Sequence, residues 1–236
     1  MKTTQCLFLL GLRQILRDGM LLVLLPAPFL AGLVLKLGLP LLETLLIARW
    51  SFSLVPWYWM IDGFLLCLTP MFMAMICAFL LLEERDGGLC AYYRITPAAG
   101  KAYLIARIGI PMICALVLTL LAGALFSFSS LSWMALFAGA LMSTLTGVFL
   151  AMMVVSVAGN RVEGLAVSKL MGISFLGLIL VGLVPAPYHY GLALLPSFWI
   201  GKLLQGGISV MTLTGGLTVC IFWIVLFTRR FLRRVS

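Results

Sequence analysis

Six apolar runs, each close to the length of a membrane-spanning helix, constrain the fold of this chain more than any other feature. They fall at about residues 20–37, 60–82, 108–128, 131–158, 165–184 and 208–227. A bilayer core about 30 Å thick needs roughly 20 apolar residues to be crossed as a helix. Hydrophobic residues make up 64% of the chain and charged residues only 10%, which excludes a soluble globular domain. Because backbone polar groups have no water partner in lipid, the sequence predicts an all-α membrane protein with six transmembrane helices.

The distribution of Lys and Arg residues predicts the orientation of these helices. Of the 16 Lys and Arg residues, only Lys36, Arg49 and Lys202 fall on the side opposite the N-terminus. Since positive residues collect in cytoplasmic loops, both termini are expected in the cytoplasm. The other basic residues lie singly or in small groups between apolar runs, so the net charge of +9 indicates membrane topology and not nucleic-acid binding.

Two connecting regions and a tail complete the predicted organisation. Arg13 and Arg17 share one face of residues 1–18 with apolar residues on the other, which predicts a cytoplasmic amphipathic surface helix. The first half of that segment is apolar all round, so an irregular lead-in is the alternative. Three prolines in residues 185–207 predict a broken external or re-entrant segment. The predicted domains are therefore 1–18, a single six-span domain 19–228 and a basic cytoplasmic tail 229–236.

The loop between the second and third spans carries three acids and four bases, the densest charge in the chain. The pair Gly87-Gly88 is expected to end the second helix. Residues 89–95 then predict a short helix, and Thr96-Pro97 would end it, since proline disfavours a helical residue before it. The tyrosines of this short helix are available for contact, so the loop predicts a surface handle on a rigid helix pair.

The acids of this loop have two interpretations: a solvated helix end that stops the span from sliding into lipid, or part of a docking element. Glu83 and Glu84 are expected to be ionised in the cytoplasm and dispensable for insertion. Their expected partners are Arg85 and Arg94 in the loop, or Arg13 and Arg17 on the N-terminal helix.

Three charged residues elsewhere have simpler predicted roles. Asp62 and Lys36, near the outer ends of the second and first spans, are expected to be interfacial side chains that snorkel towards water. Glu163 is expected either to cap the fifth helix or to contact a cytoplasmic partner.

These residues resemble the permease subunit of ABC-2 type exporters. In that family an acidic pair near the second span is followed by glycine, a short helix and Thr-Pro or Ser-Pro. The matching residues here are Glu83, Glu84, Gly87, Gly88, Thr96 and Pro97. The six spans, the length, the N-terminal helix and the broken segment before the last span also fit the family. At the glycine turn, Gly88-Leu89 departs from the Gly-Thr of many members.

The resemblance implies a channel half in the cytoplasmic membrane of a prokaryote, driven by a separate subunit. Residues 87–97 would be a coupling helix that seats in a cleft of a cytoplasmic ABC ATPase. The implied coupling residues are Glu83, Glu84, Arg85, Gly87, Gly88, Tyr92, Tyr93, Arg94, Thr96 and Pro97. The working unit would contain two ATPase copies, which bind ATP and Mg²⁺, and two permease chains, identical or paralogous, surrounded by membrane lipid. No cofactor is expected in this chain.

Catalysis by the chain itself is not expected. Its Gly-Lys pairs lack the Ser or Thr of a P-loop, and no hydrolase or metalloprotease motif is present. The nearly uncharged span interiors, rich in methionine and aromatic residues, predict a hydrophobic or amphipathic cargo such as a drug-like natural product, a peptide or a lipid-linked molecule. The alternatives are a secondary transporter and a non-transporting membrane scaffold or immunity protein.

Overall fold

The computed structural model describes residues 2–88, 103, 105–185 and 187–235, and every regular element within them is helical. The α-helices are α1 (Lys2–Arg17), α2 (Gly19–Leu24), α3 (Ala27–Trp50), α4 (Tyr58–Asp86), α5 (Ile110–Phe126), α6 (Trp133–Val157), α7 (Arg161–Ser168), α8 (Leu176–Leu183), α9 (Pro196–Gly206) and α10 (Val210–Val235). The 3-10 helices are Val55–Trp57, Lys169–Phe175 and Tyr188–Leu192, and a π-helical turn spans Ile105–Gly109.

The described residues contain six helical stretches long and apolar enough to cross a membrane, which confirms the predicted fold class. They are Gly19–Trp50, Val55–Asp86, Ile105–Phe126, Trp133–Val157, Arg161–Leu183 and Val210–Phe231. The second and fourth of these stretches are the most buried, and the first and last the least. The bundle is therefore built around α4 and α6.

The first span extends further than its apolar pattern predicts. The sequence places it at about 20–37, whereas the helical stretch runs over Gly19–Trp50. Lys36 does not end the helix, because its side chain has partners on the neighbouring loop. Its ammonium group donates a hydrogen bond to the Ser127 carbonyl at 2.7 Å and lies 5.0 Å from the centre of the Phe128 ring.

Close contact between α4 and α6 depends on a glycine. A Cβ added at Gly147 of α6 would lie 2.9 Å from the carbonyl oxygen of Pro70 on α4, closer than real Cβ atoms approach. Glycine therefore lets the two backbones meet, as small residues do where membrane helices pack tightly. A larger residue at this position would separate the two central helices.

The broken segment at 185–207 contains a helix packed inside the bundle. Pro196 begins α9, where the missing N–H of proline costs nothing, so it starts this helix and does not interrupt one. The helix packs against α4, α6, α8 and α10. Trp199 is buried, and its Nε1 donates to the Ala193 carbonyl at 2.8 Å. The segment thus contains a short packed helix, and its external or re-entrant placement relative to the membrane stays a prediction.

Candidate functional site

A buried ion pair joins the two helix ends that flank the predicted coupling segment. Glu84, in the last turn of α4, is 2% exposed, and Arg107, in the π-helical turn before α5, is 3% exposed. The Arg107 guanidinium donates to the Glu84 carboxylate, and the Tyr103 hydroxyl donates to its second oxygen at 2.5 Å. Separating the two side chains would leave a buried charge without its partner, which is costly. The pair therefore holds the end of α4 close to the start of α5.

The N-terminal helix covers this pair. A Cβ at Gly11 of α1 would clash with the Arg107 guanidinium, so the absence of a side chain lets α1 lie directly against it. The π-helical turn that carries Arg107 is an uncommon local geometry that recurs at functional sites. Helices α1, α4 and α5 therefore meet at one charged group, and displacement of any of them disturbs the other two.

Arg161, the first residue of α7, makes a second connection at the same end of the bundle. Its guanidinium pairs with Asp18, between α1 and α2, and donates to Glu83 of α4 at 3.4 Å. Its backbone N–H donates to the Asp86 carboxylate at 3.0 Å. This side chain is 30% exposed, so it links three chain segments at a partly solvated surface.

The carboxylate of Asp18 has two tasks. It caps α2 by accepting hydrogen bonds from the backbone N–H groups of Met20 and Leu21, at 2.9 and 3.3 Å. The hydrogen bond from Arg161 and these backbone donors hold the pKa of Asp18 below its ordinary value, against the opposing effect of partial burial. Asp18 is therefore ionised at neutral pH, and its link to Arg161 is lost only in acid, as the pH falls through that lowered pKa.

Glu163 closes the N-terminal turn of α7. Its backbone N–H donates to the Asn160 side chain at 2.8 Å, and its carboxylate accepts from the Gly159 N–H at 2.6 Å. This arrangement resembles a capping box with Asn160 as the cap, except that Glu163 accepts from the backbone N–H of the residue before the cap. Of the two roles expected for Glu163, the structure provides the cap, which also orients Arg161 on the same turn.

A second buried acid lies near the other end of α4. Asp62 is 2% exposed, so the expectation of an interfacial, snorkelling side chain is wrong for this residue. Its carboxylate accepts the backbone N–H groups of Phe128 and Ser129, both at 2.8 Å, and the Ser129 hydroxyl. Asp62 therefore holds the loop between α5 and α6 against α4, because two backbone N–H groups and one hydroxyl of that loop donate to its carboxylate.

We expect Asp62→Ala to lower the free energy of unfolding by about 2 kcal/mol, since it leaves partly buried donors unpaired. Asp62→Asn retains one acceptor oxygen and should have a smaller effect. Thermal unfolding in detergent and hydrogen exchange of residues 127–131 measure the difference. Equal exchange of this loop in the wild type and Asp62→Ala would show that the carboxylate does not hold it.

Comparison with known proteins identifies the family. The family model described as "Fluoroquinolones export permease protein Rv2686c-like" matches residues 11–228. The chain belongs to the Rv2686c-like family. Two curated relatives, both named as fluoroquinolones export permease proteins, are Rv2686c and MT2760 of Mycobacterium tuberculosis strains H37Rv and CDC 1551. Each is 28% identical over 197 residues, which cover 81% of this chain and 77% of the relative. No solved structure matches the chain significantly.

Membership of the Rv2686c-like family, together with the six apolar helices, fits the predicted permease of the ABC-2 type. This chain is a multi-pass membrane protein and a permease of an exporter, as its relatives are named. In this Rv2686c-like chain the matched region begins at Gly11, within α1, and so includes the contact between α1 and Arg107.

The structure describes only the first of the predicted coupling residues of this Rv2686c-like chain, those up to Gly88. Helix α4 ends at the predicted glycine pair, where Gly87 donates to the Glu83 carbonyl at 2.9 Å and Gly88 adopts a left-handed φ of 72°. Arg85 donates to the Ala158 carbonyl at 3.3 Å. The other predicted coupling residues lie outside the described residues: Tyr92, Tyr93, Arg94, Thr96 and Pro97.

Of the partners expected for the two acids, Arg13, Arg17 and Arg85 are wrong, and Arg94 lies outside the described residues. Glu84 pairs with Arg107 and Glu83 with Arg161, whereas Arg13 and Arg17 on α1 are exposed and make no ion pair with either acid. Glu84 is also not a solvated side chain. The acids pair with bases that begin later helices because α4 ends beside those helices, while the exposed face of α1 points away.

Arg107, Arg161 and Asp18 are the residues that the sequence interpretation misses in this Rv2686c-like chain. The two arginines count there only as positive charges that set the topology. One signal was available: Arg107 lies next to the apolar run of the third span, and an acid ends the span before it. Opposite charges at adjacent span ends favour a pair, since a lone charge there is costly.

Proposed function

We propose that this chain is the permease subunit of an ATP-driven exporter in the cytoplasmic membrane of a prokaryote. A separate cytoplasmic ABC ATPase, present in two copies and holding ATP and Mg²⁺, drives the movement. The cargo is an amphipathic aromatic drug, of the kind for which the curated fluoroquinolone export permeases are named. This narrows the hydrophobic or amphipathic class that the span composition predicts.

The buried Glu84–Arg107 pair is the observation that carries this proposal. It ties together the two ends of the segment that would dock on the ATPase, at residues 3% exposed or less. A force applied to that segment therefore acts on α4 and α5 together, and through Gly11 on α1. Coupling of this kind requires rigid elements joined by a fixed contact, and this pair supplies one.

The positions of the acids favour an ATP-driven exporter over a secondary transporter. Ion-coupled transporters hold ionisable residues near the middle of the membrane. Asp62 and Glu84 lie near opposite ends of α4, and residues 63–82 between them carry no charge. Both buried acids also have fixed donors, which suits a structural role more than reversible protonation.

Affinity purification in mild detergent tests the proposal. We expect an ABC ATPase to co-purify with the tagged chain from its native membrane, and a fluoroquinolone to change the rate of ATP hydrolysis by the complex. Tagged Tyr92→Ala/Tyr93→Ala, purified in parallel, serves as the control for binding through the predicted coupling segment. Purification of the folded chain without any ATPase, in detergents that preserve other membrane complexes, would contradict the proposal.

Both termini are expected in the cytoplasm. In a Cys-free background, Ser236→Cys should resist a membrane-impermeant thiol reagent in intact cells, because the basic residues hold that end inside. Ser53→Cys, which lies at an exposed position beyond α3, should be labelled. Permeabilised cells provide the control, since both cysteines should then react. Labelling of Ser236→Cys but not of Ser53→Cys in intact cells would contradict the predicted orientation.

The working complex is expected to contain two permease chains. The first and last candidate spans are the least buried within the described residues, so α3 and α10 leave most apolar surface for lipid or a second chain. Identical halves would meet in a symmetric interface. Native mass spectrometry of the purified, active complex should give two permease and two ATPase chains, and an active complex with one permease chain would refute this.

A further inference from the structure

A largely apolar cavity of about 130 Å³ lies between α1, α4 and α5, beside the buried ion pair. Its inner wall includes Ile76 and Cys77 of α4, which are 1% and 0% exposed. Its outer wall includes Leu12 of α1 and Cys114 of α5, which are exposed. Cys114 belongs to the candidate span Ile105–Phe126, so the cavity opens beside a helix long and apolar enough to cross a membrane, and it extends inward to the centre of α4.

The size of this cavity suits one six-membered ring. Cavities of about 150 Å³ with aliphatic walls stay free of water and bind benzene. The walls offer almost no polar surface, so water gains little by entering. A ring arriving from the bilayer exchanges lipid contacts for protein contacts on all sides.

The chemistry of the wall favours an aromatic ring over a saturated chain. Met73, Cys77 and Cys114 place three sulfur atoms around the cavity, and sulfur makes favourable contacts with aromatic rings. Arg107 also lines the cavity, and a guanidinium is attracted to an aromatic face.

We propose that this cavity binds the aromatic ring of an amphipathic molecule that enters from the membrane, and that it contacts the cargo before translocation. The inference rests on the proposed function for the identity of the molecule as cargo. The site adjoins Arg107, whose pair with Glu84 joins the ends of the predicted coupling segment. Occupation of the cavity therefore bears directly on the group that links α1, α4 and α5.

Photolabelling of the full chain in lipid vesicles tests the site without ATP or an ATPase. The probe is 3-trifluoromethyl-3-phenyldiazirine, and mass spectrometry locates the adducts. We expect enrichment at Met73, Cys77 or Cys114 over other residues of α4 and α5. Cys114→Trp, at the mouth, should reduce labelling of Met73 and Cys77. Leu121→Trp is the matched control, since Leu121 lies on the same helix and is 49% exposed but does not line the cavity.

Competition separates an aromatic site from a site for any apolar group. Toluene and methylcyclohexane have the same carbon skeleton, and at equal membrane concentration toluene should compete about two- to tenfold better. Equal competition, or labelling spread evenly over exposed residues, would overturn the proposed site. Since labelling needs no transport, export without cavity labelling refutes this inference alone, and cavity labelling without ATP-driven export refutes the proposed function alone.

Discussion

Arg107→Ala is expected to lower the free energy of unfolding by about 3–5 kcal/mol, because it leaves the Glu84 carboxylate buried without its cation. The Tyr103 hydroxyl, at 2.5 Å, is a neutral donor and does not replace a positive charge. Glu84→Lys should be at least as damaging, since it places two cations together at a site 2% exposed. This variant therefore changes folding as well as coupling.

Yield of folded protein and thermal unfolding in detergent measure this effect. Glu84→Gln/Arg107→Met removes both charges and should recover much of the stability that Arg107→Ala loses, because no unpaired charge remains buried. Glu83→Gln is the control on the neighbouring residue, where the carboxylate is 43% exposed and its contact with Arg161 is long, so little change is expected. Similar stability of Arg107→Ala and Glu83→Gln would show that the Glu84–Arg107 pair is not a buried ion pair.

Tyr92→Ala/Tyr93→Ala is expected to weaken ATPase binding by about 30- to 1000-fold, which corresponds to about 2–4 kcal/mol of docking free energy. Tyrosine offers a large rigid surface of the kind that anchors protein interfaces. Yield and membrane insertion should stay close to wild type, since both residues lie between the second and third apolar runs of the sequence. The measurement is the dissociation constant of the detergent-purified permease for the ATPase, with drug export from cells recorded in parallel.

Two variants sharpen the tyrosine experiment. Tyr92→Phe/Tyr93→Phe keeps the rings and should retain most of the affinity. Tyr188→Ala removes a tyrosine that is 78% exposed between α8 and α9, away from the charged end, and should leave ATPase binding unchanged. Normal ATPase binding and normal export by the alanine double variant would show that the loop is only a solvated connector and does not couple the ATPase to the membrane helices.

The sequence predicts the helices of this protein well, because apolar length alone specifies a membrane span. The end of α4 is also predictable, since a glycine pair after a charged turn is a local signal. By contrast, the pattern places the end of the first span too early, at about residue 37, next to Lys36. Its partner Ser127 lies 91 residues away, and a single sequence does not reveal that the two meet.

Only part of the candidate site is predictable from the sequence, because its contacts also join residues that are far apart in the chain. The acids are recognisable as a motif, but their partners are set by how distant helices pack. Arg161 reaches Asp18 across 143 residues of chain, and nothing in the neighbourhood of either residue indicates the other. The burial of α9 is likewise hidden, because prolines that appear to break a segment also begin helices.

ATP-dependent uptake of a fluoroquinolone into proteoliposomes tests the central claim most directly. The vesicles contain this chain together with the ABC ATPase that co-purifies with it, and the ATPase sites face outward. We expect uptake that requires both proteins and ATP, and that stops when the P-loop lysine of the ATPase is replaced. Uptake by this chain alone, driven by a pH gradient and indifferent to ATP, would contradict the account and establish a secondary transporter.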